Sequence, residues 1–549
     1  MLSSIDSDPI SLPNPISRAG NTSHGPYEGL EVENVTGTSI SYDKQGEVRD
    51  QGISFNTRVA TTTGSDLCPI DESRYTMTIS MLPDDVLLDI FVACRMDGDF
   101  DWFNAWGRNG LVHVCRRWRQ LIFGSSRRLG LRLPCTHGTP VRKNLGSWPP
   151  FPITICYCYG LTPDDEDSVL AVLEHPDRVC QVYLILTGPR LEEIATVMQQ
   201  PFPALTHLTL ERECEGPPAL PSGFLRGSAP CLRHLHLKGI AIPELPMLLS
   251  STRDLVDLDL RYIPKEGYIL PEAMVACLSA LPRLQSLSIH FFSPTSRPDR
   301  IHPPPLARIM LSSLTSFEFW GASTYLEELI SRIDSPRLNQ IHIKYSQSPL
   351  AFQIGQLFLF IDRSEDPELA LIKYADVAAS DPRLTLEMYP CPGMHPARGR
   401  ITVCIPCPVF ERRISYVVQV FNQPSALLSR IVHLKLSPSQ SRANEDPHNN
   451  EWLLFLSRFS AIRTLHVFGR FTECLALALE NATAGEMATE VLPVLDLIYF
   501  SRRPKSCIEK FLEARQISGH PVTLIRKRAD LNKLNSCVCE YEEASSHEC

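Results

Sequence analysis

A six-residue apolar pattern recurs along most of the chain: an apolar residue, two variable residues, an apolar residue, one variable residue and a third apolar residue. These hexamers begin at Val179, Leu205, Leu232, Leu255, Leu284, Leu314 and Leu338, and again at Ile431, Ile462 and Leu492. Within each run, consecutive starts lie 23 to 31 residues apart. One hexamer arises easily by chance, but ten at this spacing do not. The pattern therefore predicts tandem repeats that each contain one short strand.

The segments between the hexamers have helical periodicity, for example at residues 190–198 and 325–330. A proline stands two residues before a leucine in five strand-like segments, at Pro203, Pro230, Pro282, Pro336 and Pro382. Because proline ends a helix and is tolerated only at the start or edge of a strand, each is predicted to mark a helix-to-strand boundary. The unit of strand, loop and helix predicts an irregular leucine-rich-repeat-like α/β solenoid. The hexamer register is lost between about residues 345 and 425.

The chain before the repeats has a different character. Residues 1–76 are rich in Ser, Thr, Gly, Asn and Asp and have no regular period, so we expect a disordered tail. From Ile79 the pattern is helical: Pro83 suits a first helical turn, and two acidic residues after it complement the helix dipole. One apolar stripe follows, formed by Val86, Leu87, Ile90 and Phe91.

A second helix is predicted from Leu111 to Phe123, with Leu111, Cys115, Trp118 and Ile122 on one face and arginines opposite. A looser segment from Met96 to Gly110 connects the two helices. The predicted organisation is a tail at 1–76, a helical module at 77–125, a bridge at 126–178 with strand-like runs at 131–133 and 153–155, a repeat domain at 179–525 and a polar tail at 526–549.

The stretch from Leu82 to Phe91, followed by Val112 to Arg119, resembles the F-box. From residue 79 to about 525 the chain is similar to the large F-box-like families of mushroom-forming fungi, which carry a divergent leucine-rich region. This resemblance implies docking onto the Skp-type adaptor of a cullin–RING ubiquitin ligase. The residues that match the adaptor-contacting motif are Leu82, Pro83, Val86, Leu87, Ile90, Phe91, Val112, Cys115 and Trp118.

The chain departs from the family pattern in two places. The connection from Phe91 to Val112 is longer and more aromatic than in the usual box. The repeats also lack the Asn that follows the third apolar residue in typical leucine-rich repeats; that position is occupied by Glu213, Ile240, Ile263, Phe292, Ala322 and Ser346.

Composition narrows the classes of protein. A chain of 549 residues is longer than one hydrophobic core usually supports, so we expect at least two structural units. A net charge of −9 argues against general nucleic-acid binding. No run approaches the roughly 18 apolar residues of a membrane span, and the N-terminus has no signal-peptide pattern. We therefore expect no membrane partner, a cytoplasmic and/or nuclear location, and free thiols rather than a disulfide framework among the 18 cysteines.

Motifs of catalysis and metal binding are weak in this sequence. It has no glycine-rich phosphate loop, no Gly-x-Ser-x-Gly elbow and no His-Glu-x-x-His. Cys404 and Cys407, with Cys391 and His395 upstream, could imitate a zinc site, but no second cysteine pair flanks them. Thr402, Cys404 and Pro406 instead alternate like one face of a strand. We expect no enzyme activity, no cofactor and no metal.

In each hexamer, the residues that flank the middle apolar position are predicted to point away from the core, onto the concave face of the solenoid. These pairs are His207/Thr209, His234/His236, Asp257/Asp259, Ser286/Ser288, Ser316/Glu318 and Gln340/His342. The candidate substrate-binding residues among them are His207, His234, His236, Asp257, Asp259, Glu318 and His342. For any single one, the alternative is an ordinary solvated strand surface.

The leading hypothesis is a non-catalytic substrate receptor, whose box binds the Skp-type adaptor and cullin scaffold while the repeats hold an unknown protein substrate. One alternative is a leucine-rich scaffold whose box is vestigial or serves a purpose outside ubiquitination. A third, a hydrolase-like enzyme, lacks any nucleophile–base pair in the sequence. The identity of the substrate is not encoded in any motif found here.

Overall fold

The computed structural model describes residues 79–93, 111–137, 141–146, 150–157, 162–213, 220–292, 308–346, 355–380, 383–391, 399–407, 425–438, 449–469, 471–483, 490–502 and 508–526. The predicted tail at 1–76, the connection from Met96 to Gly110 and all but the first residue of the predicted tail at 526–549 lie outside these ranges. Within them, no helix combines the length and the apolar character needed to cross a membrane.

The helical module begins with a 3-10 turn at Ile79–Met81 and continues as α1 (Asp84–Ala93), α2 (Leu111–Val114) and α3 (Arg116–Gly124). The second predicted helix is therefore interrupted at Cys115. This residue is extended, with φ −155° and ψ 168°, and its Sγ accepts a hydrogen bond from the Trp118 backbone N–H at 3.4 Å. Cys115 acts as the N-cap of α3 and is exposed, so it does not share the buried helical face predicted for it.

The strands that follow are β1 (Leu133–Cys135), β2 (Ile153–Tyr157), β3 (Val179–Leu186), β4 (His207–Arg212), β5 (His234–Lys238), β6 (Asp257–Ile263), β7 (Ser286–Phe291), β8 (Ile309–Met310), β9 (Ser316–Gly321), β10 (Ile333–Asp334), β11 (Gln340–Tyr345), β12 (Tyr374–Ser380), β13 (Arg383–Tyr389), β14 (Arg400–Pro406), β15 (His433–Pro438), β16 (Thr464–Val467), β17 (Leu497–Phe500) and β18 (Thr523–Arg526). In the described residues, β8 and β10 form a small parallel pair and the other strands form one 16-stranded sheet.

The helices between the strands are α4 (Val141–Asn144), α5 (Pro163–Leu173), α6 (Gly188–Val197), α7 (Leu245–Ser251), α8 (Pro271–Ser279), α9 (Ser323–Ser331), α10 (Gly355–Asp362), α11 (Pro367–Ala370), α12 (Asn449–Leu456), α13 (Phe471–Thr483) and α14 (Glu509–Ile517). Successive parallel strands are neighbours, and crossover connections between such strands have one hand, so the helices lie on one face of the sheet. We call the other face, predicted above as the concave face, the open face.

The hexamers form the core between sheet and helices. Each hexamer's first residue, from Val179 to Leu492, is buried in one continuous core shared with the helices. This confirms the predicted repeat-like α/β fold. The last hexamer was assigned in the wrong register. Strand pairing aligns Leu465 with Ile498 and Val467 with Phe500, so the strand positions of that repeat are Ile498 and Phe500. Leu497, directly before Ile498, is only half-buried.

The lost register between about 345 and 425 has a topological cause. The sheet order there is β11-β14-β13-β12-β15, with β13 antiparallel to both of its neighbours. After β11 the chain forms β12 three positions further along the sheet, returns through β13, and places β14 directly beside β11. In the described residues, no helix lies between β12 and β13 or between β13 and β14, so the spacing of a strand–helix repeat does not continue through them.

This reversal also changes the structural role assigned to one proline. Pro382 was predicted to mark a helix-to-strand boundary, but the residues on either side of it belong to two antiparallel strands, with Ser380 paired to Arg383. The prediction is wrong at this position because the preceding element is β12, not a helix.

The sheet already begins within the segment predicted as a bridge. Leu133 of β1 pairs with Ile153 of β2, which in turn pairs with Val179 of β3. Of the positions that carry Asn in other leucine-rich repeats, three here hold buried apolar side chains, Ile240, Ile263 and Ala322, whereas Glu213 and Phe292 are exposed. At those three positions the apolar core extends into the place where a ladder of side-chain hydrogen bonds would stand.

One buried acid between two helices makes stability depend on pH. Glu327 of α9 accepts a hydrogen bond from the backbone N–H of Gln356, at the start of α10, at 2.7 Å. Burial raises the pKa of Glu327 to about 8, although the backbone hydrogen bonds from Gln356 and Leu357 act in the opposite direction. A folded-state pKa above the unfolded value gives stability that is present at low pH and is lost as pH rises through about 8.

We expect the free energy of unfolding to fall between pH 5 and 9, and Glu327→Gln to flatten this fall. Urea unfolding at a series of pH values measures it, with the exposed Glu266→Gln as control. An equal pH slope for Glu327→Gln and wild type would contradict the assignment.

Candidate functional site

The helical module has its own small core. Leu87, Phe91 and Trp118 are buried there, and the rings of Phe91 and Trp118 meet edge to face with centroids 4.9 Å apart. Leu88, Ile122, Leu129, Leu131 and Phe151 complete this core. Leu87, Phe91 and Trp118 belong to the set matched to adaptor contacts. The structure places these three residues in the interior, because Leu87 and Phe91 of α1 pack against α3, so a partner surface has to be built from other members of the set.

The remaining members lie at the surface or near it. Pro83, Val86 and Cys115 are exposed, whereas Leu82, Ile90 and Val112 are half-buried. Val86 and Ile90 are one helical turn apart on α1 and therefore neighbours on its surface. The sequence-based set missed Met81, which is 59% exposed directly before Leu82. The available signal was its position in the chain, since an apolar residue beside an exposed Pro83 extends the same surface.

An arginine holds this surface in place. The Arg117 guanidinium donates to the Leu82 carbonyl oxygen at 2.7 Å and to Asp84 Oδ1 at 2.6 Å. It thereby ties α3 to the start of α1 and fixes the Leu82–Pro83 segment. Arg128 adds a second tie to α1 through Asp89 at 2.7 Å. The sequence pattern places Arg117 opposite the apolar face of its helix and indicates no role for Arg128.

The open face brings most of the predicted substrate-binding residues together. Strand pairing aligns His207, His234 and Asp257 in one row across β4, β5 and β6. The rings of His207 and His234 stack with centroids 4.3 Å apart, and His234 Nδ1 lies 3.9 Å from Asp257 Oδ2. The predicted patch therefore exists as a set of neighbouring side chains.

A second row forms a connected group of ion pairs. His236 Nδ1 lies 2.8 Å from Asp259 Oδ2, and His236 Nε2 lies 3.4 Å from Glu211 Oε1. Lys238 pairs with Glu211 at 2.8 Å, and Arg261 donates to Asp259 at 2.9 Å. Burial acts to raise the pKa of Asp259, but its bonds with His236 and Arg261 outweigh this and hold that pKa below its ordinary value. Asp259 is therefore a buried carboxylate held by two cationic or polar partners.

Glu318 joins this group from β9. Its Oε1 lies 3.3 Å from His290 Nε2 and 3.7 Å from His342 Nδ1, and its Oε2 lies 4.0 Å from Arg261. The interaction with His290 is the main cause of a lowered pKa of Glu318, which burial opposes. The predicted residues Asp259, Glu318 and His342 are thus linked across the four neighbouring strands β6, β7, β9 and β11.

Several members of the group were not predicted: Glu211, Lys238, Arg261 and His290. All four lie two residues beyond the second outward position, outside the hexamer pattern. The signal was available, because side chains along a strand alternate and the strand continues past the hexamer. Tyr262 and Ile263 interrupt this alternation on β6 through a shift in strand register.

The cysteine segment at residues 404–407 belongs to strand β14 and the turn after it. Ile401, Val403 and Ile405 point into the core, whereas Thr402 and Cys404 lie on the open face, which confirms the predicted alternation. Burial raises the pKa of the Cys404 thiol. In the part of the chain that the structure describes, no three His, Cys, Asp or Glu residues are placed to hold a metal ion. His395 lies outside that part.

The chain matches no protein-family model and no curated protein. Among solved structures, it is similar to one described as the crystal structure of the Rad7 and Elc1 complex in yeast, with 11% identity over 80% of this chain and 92% of that chain. The TM-score is 0.24. Similarity at this level supports no conclusion about the fold or the function of the chain.

Proposed function

We propose that this chain is a non-catalytic substrate receptor of a cullin–RING ubiquitin ligase. In this proposal the helical module docks onto a Skp-type adaptor, the open face of the sheet holds a protein target, and other subunits transfer ubiquitin. The receptor acts by proximity, because binding raises the concentration of the target near the transfer machinery. It would act in the cytoplasm, the nucleus or both.

One observation carries the proposal. Exposed apolar side chains, Met81 and Val86, flank the exposed Pro83 on a segment that Arg117 fixes through hydrogen bonds to Leu82 and Asp84. Apolar residues on a small, rigidly held surface are typical of a site for a protein partner. The resemblance of this same segment to the F-box supplies the class of partner.

A second function is favoured by a different observation. The core of the helical module includes Leu129 and Leu131, just before β1, and Phe151, just before β2. The module could therefore serve as the N-terminal cap of the solenoid, since terminal repeats need a cap over their apolar end. The chain would then be a leucine-rich scaffold whose box no longer recruits a ligase.

Co-purification separates these two functions. The full chain is co-expressed with a Skp-type adaptor and a cullin, and recovery of both is measured for wild type and for Met81→Glu/Val86→Glu. Because both side chains are exposed, the variant should keep its melting temperature. Removing contacts of this kind costs about 2 kcal/mol or more, so we expect adaptor affinity to fall roughly 30-fold.

The matched control is Ile517→Glu, an 88% exposed apolar residue at the end of α14. It should leave adaptor recovery unchanged. Adaptor binding by wild type without cullin would favour the scaffold. Absence of adaptor binding by wild type, or equal recovery with the double variant, would overturn the docking proposal.

A further inference from the structure

Aromatic side chains project from the open face beside the ion-pair group. Tyr262 of β6 and Trp320 of β9 approach edge to face, with ring centroids 5.6 Å apart, over the intervening strand β7. Trp320 also lies beside His290 of β7, which is buried, with the two ring centroids 6.0 Å apart. Lys344 of β11 places its Nζ 3.6 Å from the centroid of the Trp320 ring. We call Tyr262, Trp320 and Lys344 the ridge.

The backbone of the ridge is strained at Tyr262. Tyr262 has a φ of 52°, a conformation that side chains other than glycine adopt rarely, and it lies within the register shift between β6 and β7. Tyr262 is nevertheless 37% exposed, and Phe292, directly after β7, is 59% exposed. Strained residues that hold an aromatic ring at the surface are more typical of binding sites than of packing, because packing gains little from an exposed ring.

The ridge carries a positive charge, the ammonium group of Lys344. In the described part of the chain, no carboxylate lies within ion-pair distance of Lys344, whereas Lys238, Arg261 and Lys435 on the same face are each paired. Burial and the like charge of Arg383 both lower the pKa of Lys344. An anionic group brought next to the Lys344 ammonium would therefore gain more than it would beside the paired cations.

We propose that the ridge binds an extended peptide segment in which an Asp or Glu carboxylate meets Lys344 and a neighbouring aromatic or aliphatic side chain packs on Tyr262 and Trp320. Tyr and Trp carry most of the binding energy in many protein interfaces, and a cation at their edge selects the charge of the partner. A carboxylate fits better than a dianionic phosphate because Glu318, also on β9, repels the second negative charge.

This inference rests on the proposed target-binding role of the open face and is independent of adaptor docking. The test uses the purified full chain alone, against a displayed library of random 12-residue peptides. Wild type should enrich peptides that carry Asp or Glu next to an aromatic or aliphatic residue. Binding of a selected peptide, made synthetically, is then measured by fluorescence anisotropy. A loss of binding here leaves the adaptor result unaffected, so the two proposals fail separately.

Two matched variants remove one lysine charge from the same face. Lys344→Gln should lower the affinity for the selected peptide about tenfold or more, because it removes a charge-assisted bond. Lys435→Gln, which removes the cation paired with Asp376 at 2.9 Å, should not. Lys344→Glu should change the enriched charge from acidic to basic. No enrichment with wild type, equal effects of Lys344→Gln and Lys435→Gln, or preference for phosphorylated over acidic peptides would each overturn the proposal.

A third variant separates binding from stability. Tyr262→Gly removes the ring and relieves the backbone, since glycine adopts positive φ readily. The melting temperature should stay the same or rise while peptide affinity falls about tenfold. A lower melting temperature with unchanged affinity would show that Tyr262 serves packing alone and would contradict its place in the site.

Discussion

Replacing Trp118 with alanine is expected to destabilise the helical module by about 3–5 kcal/mol while leaving the sheet folded. Trp118 is buried against Phe91 in a core that is separate from the core of the sheet. A large cavity in so small a core cannot be filled by rearrangement of its few neighbours. Adaptor recovery should therefore be lost although Trp118 itself contacts no partner in the proposed complex.

Hydrogen exchange followed by mass spectrometry measures this effect segment by segment. In Trp118→Ala, the amides of α1 and α3 should exchange much faster, while those of β5 and β6 should not change. Phe123→Ala is the control, because Phe123 is on the same helix but partly exposed, and it should cost less than about 1 kcal/mol. Faster exchange along the whole sheet would show that module and sheet unfold as one unit.

Replacing Asp259 with alanine is expected to destabilise the sheet by about 1.5–3 kcal/mol, because His236 and Arg261 then lose a shared charged partner. The lower end of that range is expected, since Arg261 is 41% exposed and water can solvate it. Asp257→Ala is the control: its contact with His234 is 3.9 Å long and exposed, so its effect should stay within about 0.5 kcal/mol. Equal effects of the two changes would contradict the network as described.

The pH dependence of Asp259 gives an independent check. Its folded-state pKa lies below the ordinary value, so its contribution to stability is present above the unfolded pKa of about 3.9 and is lost as pH falls through the folded value. The difference in unfolding free energy between wild type and Asp259→Asn should therefore be largest near neutral pH and shrink below about pH 4. Urea unfolding from pH 3 to 7 measures it. A difference that does not change with pH would contradict this account.

The strands β12, β13 and β14 lie in reverse order in the sheet, yet their outward side chains stay on the open face. Because β14 lies beside β11 in parallel register, Thr402 continues the row that contains Glu318 and His342. The row then crosses β13 and β12 to Lys435 of β15, although the chain visits these strands out of order. The open face is therefore continuous by strand pairing from β9 to β15.

Part of the candidate site could be predicted from sequence. Outward residues inside a hexamer are fixed by the alternation of side chains along a strand, and neighbouring repeats align because every hexamer is buried in the same way. This is why His207, His234, His236, Asp257 and Asp259 were predicted as one patch. Tyr262 was not predictable, because a positive φ and a register shift arise from how β6 and β7 fit together.

By itself, the sequence determined the repeating strand–helix unit, the buried residues of nearly every hexamer and the helical start of the module, since each follows from a local period of two or 3.6 residues. Tertiary structure alone decided three features. It placed Leu87, Phe91 and Trp118 in a core rather than at a surface, it reversed the strand order between β11 and β15, and it linked Glu211 to Glu318 through a group of ion pairs. The reason is the same in each case: these features depend on which distant segments become neighbours, and a local pattern of apolar residues carries no information about its partner.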